Sequence, residues 1–302
     1  TQIDVGATFK AEDIRVDTLL PALSNLHSHS FQRAMAGMSE FRAQGRESFW
    51  TWRELMYRFL DHLTPEQIGA IAALAFMEMQ KAGFAAVGEF HYLHNALNGQ
   101  RYEDPAELSA QIMQAAQTTG IGLTHLPVLY SYGDVGQEPL VGGQLRFGNS
   151  LDQFLDLTER CEALAQAHNS DTKVGVAPHS LRATSPADLT KLLQNRTSGP
   201  VHMHIAEQVK EVEDVQAAMG ARPVEWLMAH SDVDARWCLI HATHMTQSET
   251  AQMAKSGAIV GLCPVTESSL GDGIFEGVEY LANNGTFGIG TDSNVNISVI
   301  DE

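Results

Sequence analysis

Four histidines and an aspartate stand at the ends of separate apolar runs: His27 and His29 together, then His204, His241 and Asp292. Side chains at i and i+2 of a strand share a face, so His27 and His29 can grip one ion. His204 belongs to a second such pair, Val201-His202-Met203-His204. Its member nearer the strand's C-terminal end is taken as the ligand, because barrel active sites form at that end. His202 is read as a satisfied interior histidine. Asp292 ends an apolar run, where an aspartate can cap a helix or bind an ion. Beside three histidines, the ligand reading is preferred. Imidazoles and a carboxylate suit one Zn²⁺ per chain, with Fe²⁺ also fitting. Such an ion makes water nucleophilic near neutral pH, so the chemistry indicated is hydrolysis.

Other residues fall at the same predicted rim. Glu207 lies three residues past His204, where a carboxylate beside an activated water can shuttle protons. His241 directly ends its apolar run and is placed next to that water; His244 is read as more peripheral. His179 and Arg182 end the fourth run, and Arg53 and Tyr92 reach the rim from the first and second loops. Arginine matches the two oxygens of a carboxylate. Two arginines near a hydrolytic metal suggest a dicarboxylate substrate, although spacing alone leaves a surface Arg and a buried His equally open. Cys263 is read as a small buried residue. No phosphate-binding glycine motif is present.

The elements that must position these residues are short β-rich runs alternating with helical stretches. The runs are 19–29, 84–91, 121–130, 173–179, 200–207, 236–241, 258–266 and 286–292. They are nearly continuous in apolar residues, as strands buried on both faces are. Eight βα alternations predict an α/β fold, a TIM-like (β/α)₈ barrel. Thr64-Pro65-Glu66-Gln67, Asp104-Pro105, Ser185-Pro186 and Thr246 to Glu249 read as helix starts, and Gly83 and Gly120 as stops. The segments 31–64 and 130–149 read as long functional loops, the second a lid or subunit contact. The first holds Gln32, Arg33, Arg42, Arg46, Trp50, Trp52 and Arg53. Residues 1–18 read as a remnant of a small β domain and 19–302 as the barrel, both ends looking shortened.

A net charge of −18 over 302 residues argues against nucleic acid and anionic membrane as partners. It also requires local arginines if an anion is to be held. No apolar run reaches the roughly 18–20 residues of a membrane span, and no signal peptide is visible. Three cysteines without CxxC spacing suggest reduced thiols in a cytoplasm. A homodimer is the default assembly.

With these residues in view, the pattern HxH, His, His, Asp on runs one, five, six and eight resembles the amidohydrolase superfamily. Finer text is similar to the formimidoylglutamate deiminases of histidine degradation: Asn25-Leu-His-Ser-His-Ser-Phe-Gln32-Arg33, Phe49-Trp-Thr-Trp-Arg53, Gly88-Glu-Phe-His-Tyr92, His202-Met-His-Ile-Ala-Glu207-Gln208, Leu262-Cys-Pro264 and Leu270-Gly-Asp-Gly-Ile-Phe275. The resemblance implies a mononuclear Zn²⁺ on His27, His29, His204 and Asp292. It implies proton handling by Glu207, His241 and Asp292. It implies Gln32, Arg53, Tyr92, His179 and Arg182 around the glutamate part of the substrate, a small dicarboxylate amidine. The implied reaction converts N-formimidoyl-L-glutamate and water to N-formyl-L-glutamate and ammonia. Ser30 departs from the small apolar residue expected there, and the resembling proteins continue beyond the Gly-Thr-Asp-Ser segment. The competing readings are a deaminase of the same superfamily acting on a nucleobase or S-adenosyl compound, and a catalytically silent metal-binding barrel.

Overall fold

A computed structural model describes residues 8, 10, 14–38, 49–168 and 171–302. Its strands are β1 (Leu23–Ser28), β2 (Phe84–His91), β3 (Gly122–Leu129), β4 (Thr172–Val174), β5 (Ala177–Pro178), β6 (Val201–Ile205), β7 (Trp237–His241), β8 (Ile259–Leu262) and β9 (Thr286–Ile289). All pair in parallel, β1-β2-β3-β4 with β5 also on β3, and β6-β7-β8-β9. Parallel bridges Val176–Val201 and Ser28–Asp292 join the two sheets at both margins. The strand order therefore returns to its start, as the (β/α)₈ expectation requires. The fourth strand is split because its partners change. Gly175 N donates to His125 O of β3, whereas Val176 N donates to Pro200 O beside β6.

The helices are α1 (Phe49–Leu60), α2 (Pro65–Ala82), α3 (Glu107–Thr119), α4 (Leu151–Ala167), α5 (Pro186–Asn195), α6 (Val209–Met219), α7 (Pro223–His230), α8 (Gln247–Ser256), α9 (Pro264–Leu270) and α10 (Gly277–Ala282). Thr64 and Gln67 form the expected capping box of α2, as do Thr246 and Glu249 for α8, and Ser185 caps α5. Helix α3 starts later than the Asp104-Pro105 signal suggests. Asp104 instead accepts the N–H of Ala106, two residues on, at 2.9 Å. One apolar cluster packs β2 and β3 against α2 and α3; another packs β6–β8 against α5 to α8. Among the described residues, no helix is long and apolar enough to cross a membrane.

Two expectations need correction. The segment 31–64 is not simply loop: a 3₁₀ turn (Ser30–Met35) and α1 occupy much of it. Met56 and Leu60, four apart, bury the inner face of α1. Arg42, Arg46 and the side chain of Trp50 lie outside the described residues, as does most of the expected 1–18 remnant. His202 is buried but not satisfied, its Nδ1 having no partner among the described residues.

The seam between β9 and β1 is close-packed. A Cβ on Gly290 would lie 2.8 Å from the backbone N, O and the Cβ of His27. Gly290→Ala must therefore push apart the two segments that present His27 and Asp292. A cost of about 1–3 kcal/mol is expected, read as a lower thermal midpoint together with weaker metal retention.

Candidate metal and active site

His27 lies near the end of β1 and His29 just past it, His204 lies near the end of β6, and Asp292 follows β9. The four side chains meet. His27 Nε2 is 3.1 Å from His29 Nε2 and 3.1 Å from His204 Nε2. Asp292 Oδ1 is 3.4 Å from His27 Nε2 and 3.2 Å from His29 Nε2. His29 Nδ1 lies 2.9 Å from Phe90 O and His204 Nδ1 lies 3.1 Å from His179 O. Carbonyls only accept, so both Nδ1 atoms carry hydrogen and both Nε2 lone pairs face the centre. Burial, with His29 beside it, pushes His27 down to about 3, so it stays neutral. The three Nε2 atoms and a carboxylate oxygen converge on one point, a donor set that could hold a metal ion. With Zn–N near 2.0–2.1 Å, a tetrahedral site has ligand separations of about 3.3 Å, which these distances match. Phe90 stands edge-on to His27, His29 and His204 and keeps the site dry on that side.

Beside this cluster is a group of charged residues. His241 Nε2 lies 3.8 Å from Glu207 Oε1 and 3.9 Å from Asp292 Oδ2, while its Nδ1 is 3.0 Å from Glu267 Oε1. Burial opposes a charge on His241, but Glu207, Glu267 and Asp292 outweigh it and raise its pKa to about 10. Burial raises the Glu207 carboxyl, with His241 and Arg182 pulling it back. Glu211 accepts the N–H groups of Ala206 and Glu207 at 3.2 and 3.1 Å and so holds the strand exit that carries Glu207.

These residues open into a cavity. Its lining brings together ten of the eleven residues singled out from the sequence: His29, Gln32, Arg53, Tyr92, His179, Arg182, His204, Glu207, His241 and Asp292. The eleventh, His27, is fully buried beneath it. Gln32 Nε2 donates to Tyr92 Oη at 2.6 Å, and Gln32 Oε1 is a buried acceptor with no partner among the described residues. Burial, reinforced by Arg182, holds His179 neutral. Trp52, from the expected functional loop, also lines the wall, together with Met56, Tyr57, Tyr130 and Phe147, which were not anticipated.

Residues 18–302 match the profile of the amidohydrolase family. The chain belongs to the amidohydrolase family. It is 52% identical over 285 residues to the formimidoylglutamate deiminase of Pseudomonas aeruginosa, covering 94% of this chain and 62% of that one. A solved amidohydrolase from Brucella melitensis superposes with a TM-score of 0.90 at 52% identity, over 93% of this chain and 62% of that one. A zinc-bound adenosine deaminase from Xanthomonas campestris shares the fold alone, with a TM-score of 0.71 at 21% identity over 93% and 58%. The chain thus spans somewhat less than two thirds of the length of these proteins.

This amidohydrolase site is held by polar residues that carry no reacting atoms. Asn25 Nδ2 donates to Thr291 Oγ1 at 2.7 Å, Asn25 Oδ1 accepts Thr291 N at 3.1 Å, and Asn294 Nδ2 donates to Ser28 Oγ at 3.1 Å. Ser30, the departure from the expected apolar residue, donates through N and Oγ to buried Glu89 at 2.7 and 2.6 Å. Ala206, His241, Ala242, Asp292 and Asn294 all have positive φ, between 46° and 68°. Such conformations cost about 1–3 kcal/mol each and gather at functional sites.

Asp272, in the loop after α9, accepts from Gln208 and is buried. Burial, with Glu207 nearby, raises its pKa from 3.8 to about 8. The folded state then holds a proton that the unfolded state has lost between those values, so stability falls as pH rises through that window. Asp272→Asn removes this penalty. Its thermal midpoint should exceed the parent's, and calorimetry should show the gap widening from pH 5 to pH 8.

Proposed function

We propose that this chain hydrolyses N-formimidoyl-L-glutamate to N-formyl-L-glutamate and ammonia with one bound Zn²⁺. The observation carrying this reading is that Arg53 and Arg182 line the same cavity as the metal-ligand cluster, Glu207 and His241. A ligand with two carboxylates and a hydrolysable amidine fits that combination. The identity with the Pseudomonas aeruginosa deiminase supports it. The three buried free thiols suit the reducing cytoplasm, where we place a homodimer.

A zinc ion held by His27, His29, His204 and Asp292 supplies the Lewis acidity that makes water nucleophilic near neutral pH. The chain's own groups do the rest. Asp292 turns Oδ1 to the histidines and Oδ2 toward His241, so Oδ2 is placed to take the proton of the attacking water. Glu207, whose pKa burial raises, is the group that protonates the nitrogen leaving as ammonia. Gln32 Oε1 accepts the substrate N–H that joins the formimidoyl group to the glutamate carbon. Arg53 and Arg182 neutralise the two carboxylates, which an acidic protein would otherwise repel. The aromatic wall of Trp52, Tyr57, Tyr130 and Phe147 favours one rival, a flat nucleobase or S-adenosyl ligand.

An ammonia-release assay over formimidoylglutamate, adenosine, guanine and S-adenosylhomocysteine separates these readings. Release from formimidoylglutamate alone, abolished by chelator, is the expected result; turnover of a nucleobase instead would overturn it. Glu207→Gln should lower kcat about 10²–10⁴-fold. Arg182→Lys should raise KM with little change in metal content, because the ammonium loses the two-pronged match. A metal-poor, inactive Asp292→Asn beside an active parent would exclude a silent barrel.

A further inference from the structure

We infer that Glu267 is a positioning residue for His241, fixing the hydrogen on Nδ1 and thereby aiming Nε2 at the reacting atoms. The inference deepens the functional reading above and rests on it. Glu267 does not line the cavity; it is buried behind His241, in the first turns of α9. Its Oε1 lies 3.0 Å from His241 Nδ1 and accepts the backbone N–H of Cys263 at 2.9 Å. A carboxylate flanked in this way can only accept, so the imidazole must present N–H to it. The opposite nitrogen is then the one that faces Glu207 at 3.8 Å and Asp292 at 3.9 Å.

The strand does not hold the ring in this orientation unaided. His241 has φ 68° and Ala242 φ 50°, so the backbone leaves β-geometry at the residue that carries the ring. Glu267 is itself firmly placed. Its carbonyl accepts Asp272 N at 2.9 Å, and the hydroxyl of neighbouring Thr266 lies 2.9 Å from Ser293 Oγ, beside Asp292. The ligand atoms of His241, Cys263 and Glu267 approach within 4.8 Å of one another, as they would around an ion. Here the two N–H groups already use Oε1, so hydrogen bonding accounts for the approach.

The test compares Glu267→Leu with Glu267→Gln, whose amide oxygen can still accept both hydrogens; Glu267→Ala replaces the leucine variant should that fail to fold. In protein labelled with ¹⁵N-histidine, the Nδ1–H resonance that disappears in His241→Asn should persist in Glu267→Gln and vanish in Glu267→Leu. For ammonia release from formimidoylglutamate, Glu267→Leu should lower kcat about 10–100-fold, as loss of a partner behind a working imidazole does. KM and bound metal should stay unchanged, and Glu267→Gln should remain within a few-fold of the parent. In a His241→Asn background, Glu267→Leu should have no further effect. An unaltered resonance and kcat in Glu267→Leu, an undiminished effect in the His241→Asn background, or loss of a second equivalent of metal would each overturn the assignment. A parent protein inactive on formimidoylglutamate would sink the functional reading alone, because the resonance still decides the role of Glu267.

Discussion

The structure depends on the parallel contact between the first and last strands. His29 N donates to Asp292 O and Asp292 N to His27 O, each at 2.9 Å. These two bonds register the ends of the chain's barrel segment, and the residues that make them are those whose side chains converge on the metal position. Closure of the fold and assembly of the site are thus one event. The Asn25, Thr291 and Asn294 side chains reinforce the contact from behind. The positive φ at Asp292 is the cost of turning its carboxylate inward at that point.

Charge is arranged with the same economy. A chain with net charge −18 gathers Glu207, Glu211, Glu267, Asp272 and Asp292 around one small volume, all buried. Left unpaired, such carboxylates would take up protons or force the site open. Glu211, Glu267 and Asp292 have partners: backbone N–H groups for Glu211, an imidazole and an N–H for Glu267, and the histidines for Asp292, whereas burial raises the pKa of Glu207 and Asp272. Arg182 lies among them, and burial, which opposes its charge, is outweighed by Glu211 and Glu207. The cation is thereby kept ionised where an anionic ligand would need it.

Much of this was legible in the sequence. Most strands are short and rich in apolar residues, so β2 coincided with the expected run and the others fell within theirs, except that β4 starts one residue early, at Thr172. The metal-ligand residues stood out because each stands at or just past the end of its apolar run. Helix α1 did not stand out, because arginines and a glutamate interrupt its apolar residues and its buried face is narrow. Glu267 and Asp272 were hidden for a different reason. They follow β8 on α9 and its loop, where acidic residues are common and only the tertiary approach of His241 and Gln208 gives them meaning. The pocket aromatics were equally hidden, since Tyr57, Tyr130 and Phe147 come from three segments distant in the chain.

Arg146 is one of the largest fully buried side chains described, and its guanidinium spans three segments. It donates to Leu60 O and Leu63 O at the end of α1 at 2.5 and 3.2 Å, and to Asn95 O after β2 at 3.2 Å. Helix α1 carries Trp52, Arg53, Met56 and Tyr57, and the neighbour of Arg146 is Phe147. One cation therefore joins the Tyr57–Phe147 ring contact in fastening together two stretches of cavity wall. Any breathing that admits a ligand from that side must carry them as a single body, so the width of the entrance and the placement of Arg53 cannot be tuned separately.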